Sequence, residues 1–254
     1  MTTVRTPESV TALDEHGRTV QEMFSDIAPG YDRANRLMSL GIDRAWRARA
    51  VDRLLSVGGS NAAILDLCAG TLDSSLVIHR RYPHATVRAG DFSVGMLEVG
   101  RRRLQGAAAQ RIHPQQMDAH AIPAADASFD AIFCAFGLRN LSDLERATAE
   151  MWRCLKPNGR LVVLEFFRPT TWFSRGFHNV YNHTVLPAVG WACTGNLSAY
   201  RYLPRSIGRF VSTGEYTARL ERAGFRSVTV EPLTFGIASI VSAERHAEAV
   251  EHCA

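Results

Sequence analysis

The run ILDLCAGTLD, residues 64–73, constrains this chain more than any other segment. An apolar stretch that reads as a buried strand passes through small residues and Gly70 directly into the start of an amphipathic segment. A strand delivered into a helix through a glycine turn is the opening unit of a parallel sheet with covering helices. In such sheets ligands bind beyond the carboxyl ends of the strands, where a glycine turn lets them approach the backbone. Taken alone, the turn is equally an ordinary strand-to-helix connection.

The rest of the chain repeats the alternation. Strands are expected at 62–67, 86–90, 111–117, 131–136 and 160–166, with helices at 74–81, 94–104 and 144–155 between them. A helix near 213–223 and two closing strands, 227–231 and 235–241, follow. Ahead of this core, Val20, Met23, Phe24 and Ile27 recur at helical spacing, and a second helix is expected from Asp43. The division predicted is one domain over 1–254: a flexible tail (1–17), a helical flank (18–55), a cofactor-binding core (62–168), a helical insertion on the substrate side (170–206), and a C-terminal helix and strands (207–241). A length of 254 residues suits one α/β domain with insertions.

Composition excludes several classes. The 29 basic and 25 acidic residues are spread along the chain, with no basic block longer than Arg101, Arg102 and Arg103, so nucleic acid is not an expected partner. Lys156 is the only lysine, which a GC-rich coding bias explains. Cys68, Cys134, Cys154, Cys193 and Cys253 are odd in number, far apart and never in a CxxC pair, so neither a metal site nor a disulfide framework is expected. The polar start lacks a signal peptide's apolar stretch, and no run of about 18 apolar residues occurs. A cytoplasmic protein is expected, with peripheral membrane contact and homodimerisation left open.

A second feature narrows the ligand. The strand after the glycine turn ends in GDFS, residues 90–93, which places Asp91 about 20 residues beyond the turn, where a carboxylate accepts from ribose hydroxyls. Asp118, before Ala119 at the next strand end, can accept from an adenine amino group or simply form a turn. The first turn lacks G-x-G-x-x-G spacing and carries a bulky Leu72, so a nucleoside is expected rather than a dinucleotide pyrophosphate. Asp66, Gly70, Asp91, Phe92 and Asp118 are therefore the cofactor candidates. In the insertion, His178 and His183 could take a proton near neutral pH, or be surface or pocket-lining residues. Trp172, Phe173, Phe177, Tyr181, Trp191, Tyr200 and Tyr202 supply an aromatic pocket lining, or core.

These motifs, with YDRANRLMSLGIDRAW (31–46), GDFSVGML (90–97), DAHAIP (118–123), FGLRNLSD (136–143), RCLKPNGRLVVLEFFRP (153–169), AYRYLPRSI (199–207), AGF (223–225) and LTFGIA (233–238), resemble the ubiquinone/menaquinone biosynthesis C-methyltransferase family. That family methylates ring carbons of prenylated quinols, and the similarity runs from Met23 to about Val241. It implies a Rossmann-like class I S-adenosylmethionine-dependent methyltransferase with a mostly parallel sheet and an antiparallel edge strand. It implies S-adenosylmethionine as cofactor and an aromatic or isoprenoid small molecule as acceptor.

Carried over by position, Thr71, Asp91, Asp118, Ala119 and Ala135 fall on cofactor contacts, while Tyr31, counted with the catalytic residues, and Asp32 would close over the cofactor and help shape the substrate pocket. Arg139 and Asn140 would hold an activating water or the ring hydroxyl, with Asp73 in the same network. A guanidinium stays protonated, so Arg139 polarises or stabilises rather than acting as a base. Phe136, Phe167, His178, Tyr181, Tyr200 and Tyr202 are expected to line the substrate pocket. Leu72 stands where the family has glycine (GTLD for GTGD), Asn158 replaces another glycine, and Phe167 replaces a serine. The competing readings are a cyclase or isomerase descended from a methyltransferase, and a non-catalytic nucleoside-binding partner in a biosynthetic complex.

Overall fold

Strands covered on both faces carry apolar residues at consecutive positions, and the central strands of this chain do so. The computed structural model describes Ser39 and residues 41–54, 61–170 and 197–246, with side chains in the last stretch from Leu203 onward. In β1 (Ala63–Leu67) the last four residues are all buried, and in β4 (Phe129–Ala135) all but Asp130 are. With β2 (Thr86–Asp91), β3 (Ile112–Gln116), β5 (Leu155–Glu165), β6 (Phe225–Leu233) and β7 (Ala238–Arg245) they form a seven-stranded sheet of order β3-β2-β1-β4-β5-β7-β6. The pairings from β3 through β5 are parallel, while β7 lies antiparallel to both β5 and β6. The mostly parallel sheet with an antiparallel edge is as expected.

Alternate residues of these strands feed two apolar layers. On one face Leu65, Leu67, Ile132, Cys134, Leu161 and Val163 meet Ala147 and Met151 of α5 (Leu144–Cys154) and Tyr216 and Leu220 of α7 (Thr213–Arg222). On the other, Ile64, Ala131, Phe133, Val162 and Leu164 meet Trp46, Ala50 and Val51 of α1 (Ile42–Val51) and Ile78 of α2 (Asp73–Arg81). Between β2 and β3 lie α3 (Val94–Arg101) and α4 (Gly106–Arg111), and α6 (Leu197–Arg209) precedes α7.

The starts of α3, α5 and α7 carry side-chain caps, whereas those of α1, α2 and α4 do not. Asp143 accepts from Arg146 N at 2.9 Å, and Ser212 with Glu215 forms a capping box at α7. At α2 the cap is Leu72, left-handed at φ 68° with no side-chain bond to the helix. A leucine held there costs about 1–2 kcal/mol. Full burial offsets that cost, because the side chain fills the space over Gly100, whose added Cβ would overlap Leu72. Gly100→Ala is therefore expected to destabilise the fold by about 1–3 kcal/mol. In a Leu72→Gly background the added methyl should cost distinctly less; equal losses in the two backgrounds by urea denaturation would refute the contact.

The element boundaries depart from the sequence expectation where the backbone turns left-handed. β5 begins at Leu155 rather than 160, because the register shifts from Phe129↔Leu155 to Ala131↔Arg160 and Asn158, at φ 62°, absorbs the extra residues. β7 starts at Ala238, after a turn with Phe235 at φ 56°. Helix α4 occupies the residues just before β3 and was not anticipated. The helix expected around residues 20–27 lies outside the described residues.

Candidate active site

The site is assembled at the carboxyl ends of β1, β2, β4 and β5. Leaving β1, the chain alternates into left-handed geometry at Cys68 (φ 58°), Gly70 (φ 54°) and Leu72 (φ 68°), winding the backbone tightly over the strand end. This presents Gly70 N to Asp91 Oδ2 at 2.8 Å, while Asp91 Oδ1 accepts from Ser93 N at 2.8 Å. The two features 21 residues apart in sequence are thus in direct contact. Burial pushes the Asp91 carboxyl above its usual range, against the opposing pull of those amides.

Asp66 lies beneath the turn, 1% exposed. Its Oδ2 accepts from Ser75 Oγ at 2.5 Å, and its Oδ1 is buried with no hydrogen-bond partner. Burial raises its pKa to about 7, although the Ser75 bond and the charge of Arg47 pull the other way. Between about pH 4 and 7 the folded chain then holds a proton that the unfolded chain has released, so this group's contribution to stability falls as pH rises through that window. The loss amounts to about 4 kcal/mol across it. Asp66→Asn should flatten that slope in denaturant titrations at several pH values; an unchanged slope would show that Asp66 is ionised throughout.

The neighbouring residues are fixed by side-chain bonds. Arg103 clamps the turn, donating to Thr71 O at 2.8 Å and to Asp73 Oδ1 at 2.5 Å. Asp118 Oδ1 accepts from His120 N at 2.9 Å and contacts His120 Nδ1 at 2.6 Å, so it closes a turn in this structure. Burial would raise its carboxyl, but the His120 bonds outweigh it and hold the group below its usual value. Ala119 and Ala135 are buried and Phe92 is half-buried.

On the other side of β1, β4 is followed by Phe136, which extends the pairing by donating from its N to Leu164 O at 2.8 Å. Phe136 then turns left-handed at φ 58°, and the chain curls into a 3-10 turn, Leu138–Asn140. Gly137 makes the curl possible, since a Cβ there would overlap Cys68. Arg139 is thereby brought back over the sheet end, where its Nη1 donates to Glu165 Oε1 at 2.6 Å and to Phe136 O at 2.8 Å. Phe136 and Phe166 stack at 4.7 Å between centroids, with Arg47 over the first ring at 5.1 Å and Arg139 over the second at 5.6 Å. Arg47 also donates to Ser74 Oγ at 2.6 Å, tying α1 to the first turn of α2.

Some sequence-predicted residues go elsewhere. Phe167 is not beside Phe136: strand alternation turns it into the opposite layer, 4% exposed, against Phe210 at 5.7 Å and Tyr216 at 5.6 Å. Its neighbour Phe166 lies against Phe136 instead. Asp73 bonds Arg103, whereas Arg139 bonds Glu165. Tyr31, Asp32, His178, Tyr181 and His183 lie outside the described residues, as do the side chains of Tyr200 and Tyr202 on α6. Arg47, Arg103, Glu165 and Phe166 were missed. The available signal for Glu165 was a single acid closing the apolar run LVVL.

Comparison with known proteins bears on this geometry. Residues 11–245 match the model of the ubiE/COQ5 methyltransferase family. The demethylmenaquinone methyltransferase of Thermus thermophilus is 44% identical over 223 residues, covering 88% of this chain and 100% of the relative. Among solved structures, an S-adenosylmethionine-dependent methyltransferase of Thermotoga maritima superposes with a TM-score of 0.61 at 18% identity, covering 89% of this chain and 99% of that one. The [4+2]-cyclase SpnF superposes with a TM-score of 0.70 at 15% identity, covering 91% and 97%. At such identities the likeness concerns fold alone, and it is shared by a methyltransferase and a cyclase. The family match and the 44% identity decide between them: this chain belongs to the ubiE/COQ5 methyltransferase family.

Proposed function

We propose that this enzyme transfers the methyl group of S-adenosylmethionine to a ring carbon of a prenylated quinol of the demethylmenaquinol type. The observation that carries the reading is the layout around β1: the Gly70–Asp91 contact on its β2 side, and the Arg139, Phe136 and Phe166 cluster on its β4 side. A nucleoside site and an aromatic, cationic acceptor site then flank one glycine turn.

The residues fit the cofactor. Asp66 Oδ1, buried without a partner, is an acceptor suited to a cationic amino group, and Asp91 suits ribose hydroxyls. Asp118 and Ala119 would border the adenine, with Thr71 and Ala135 beside the cofactor. When bound, S-adenosylmethionine supplies an electrophilic methyl carbon on a sulfonium. The chain's own task is to align a ring carbon with that methyl and exclude water. Stacked Phe136 and Phe166 give the acceptor ring an apolar surface. Arg139, with Asn140 beside it, stabilises negative charge on the ring oxygen, which makes the adjacent carbon nucleophilic. Because a prenylated acceptor partitions into lipid, we place the working enzyme at the membrane surface by peripheral contact; among the described residues no helix is long and apolar enough to cross.

Incubation with methyl-labelled S-adenosylmethionine and demethylmenaquinol tests the reading. Label is expected in the lipid extract. Turnover absent with every prenylated quinol, despite tight binding of S-adenosylhomocysteine, would overturn the acceptor and leave the cofactor.

A further inference from the structure

We propose that Glu165 is a positioning residue for the reaction, fixing the plane and direction of the Arg139 guanidinium against the acceptor ring. The inference rests on the role given to Arg139 above. Parallel pairing sets Ala135 against Leu164, so the residue after Leu164 arrives beside the chain that leaves β4. Glu165 is fully buried, and three donors converge on its carboxylate: Arg139 Nη1 at 2.6 Å, Arg139 N at 3.3 Å and Phe166 N at 2.8 Å. One carboxylate therefore holds the arginine side chain, the 3-10 turn that carries Arg139 and Asn140, and the backbone of the stacked Phe166.

Arg139 is held from a second side. Its Nη1 carries two protons, and these go to Glu165 and to Phe136 O, so the guanidinium cannot swing without breaking a bond at each. The arginine side chain is 6% exposed and the glutamate side chain 0%. A buried ion pair of this kind is a poor way to gain stability, since well-packed apolar residues of similar volume do as well or better. What the pair supplies and an apolar contact cannot is a cation of fixed orientation at the strand end, which is what charge stabilisation on a ring oxygen requires.

The test uses the full-length enzyme with Glu165→Gln and Glu165→Asp, each normalised to sites that bind S-adenosylhomocysteine. Glutamine keeps the shape and loses the charge; aspartate keeps the charge and loses reach. With Glu165→Gln, kcat should fall about tenfold or more while KM for the methyl donor stays within about twofold, because the Gly70–Asp91 contact is untouched. Glu165→Asp should recover part of the loss. In 15N NMR spectra the Arg139 Nη protons should be individually resolved in wild type and averaged by rotation in Glu165→Gln. A kcat within about twofold of wild type in both variants would overturn the proposal, as would parallel loss of kcat and donor affinity. Absence of methyl transfer by the wild type itself would instead count against the acceptor reading. In that event the guanidinium spectra decide: order lost in Glu165→Gln supports positioning, and order retained in both overturns it.

Discussion

Asp91→Ala is expected to weaken S-adenosylhomocysteine binding by about 100-fold or more. Hydrogen bonds to a charged group contribute about 1.5–3 kcal/mol each, and a ribose diol offers two. The substitution also removes the acceptor of Gly70 N and Ser93 N, so the glycine turn loses the bond that holds it against β2. Asp91→Asn is not a mild control. Its amide places two N–H groups where one of those backbone donors already points, so at least one bond fails. Calorimetric titration checks affinity, and thermal unfolding without ligand separates the turn's contribution from the ribose's. Affinity within threefold of wild type would remove Asp91 from the cofactor site.

Arg139→Met is expected to lower kcat by about 100-fold or more, the scale seen when a charge-stabilising donor is removed. The same change strands the Glu165 carboxylate, which is fully buried, and should destabilise the fold by about 3–5 kcal/mol. The two effects separate in a double variant. Arg139→Met with Glu165→Leu removes the stranded charge, so stability should return while activity does not. Recovery of activity along with stability would mean that Arg139 serves folding alone.

Much of this arrangement was legible in the sequence because it depends on local patterns. Strands with consecutive apolar residues and the glycine turn identify themselves, and the spacing from Gly70 to Asp91 follows from one strand–helix–strand unit. Less legible were contacts fixed by pairing between strands. Nothing near Glu165 in sequence announces Arg139, 26 residues earlier; their meeting follows from the parallel register of β4 and β5. Phe167 lies in the layer opposite Phe136 and Phe166, because successive side chains at the end of β5 point to opposite faces. Leu72 was visible as a departure in the turn, but its compensation was not, because Gly100 lies a helix away. Asp118 closes a turn by accepting from His120 N, a contact between residues two apart that spacing alone leaves open.

The most direct test of the central claim is the position of the transferred methyl. Single-turnover reaction of the enzyme with 13C-methyl S-adenosylmethionine and demethylmenaquinol, read by 13C NMR of the extracted lipid, should show one new methyl bonded to a ring carbon. A labelled methyl on oxygen, or no label in the lipid while S-adenosylhomocysteine binds normally, would contradict it.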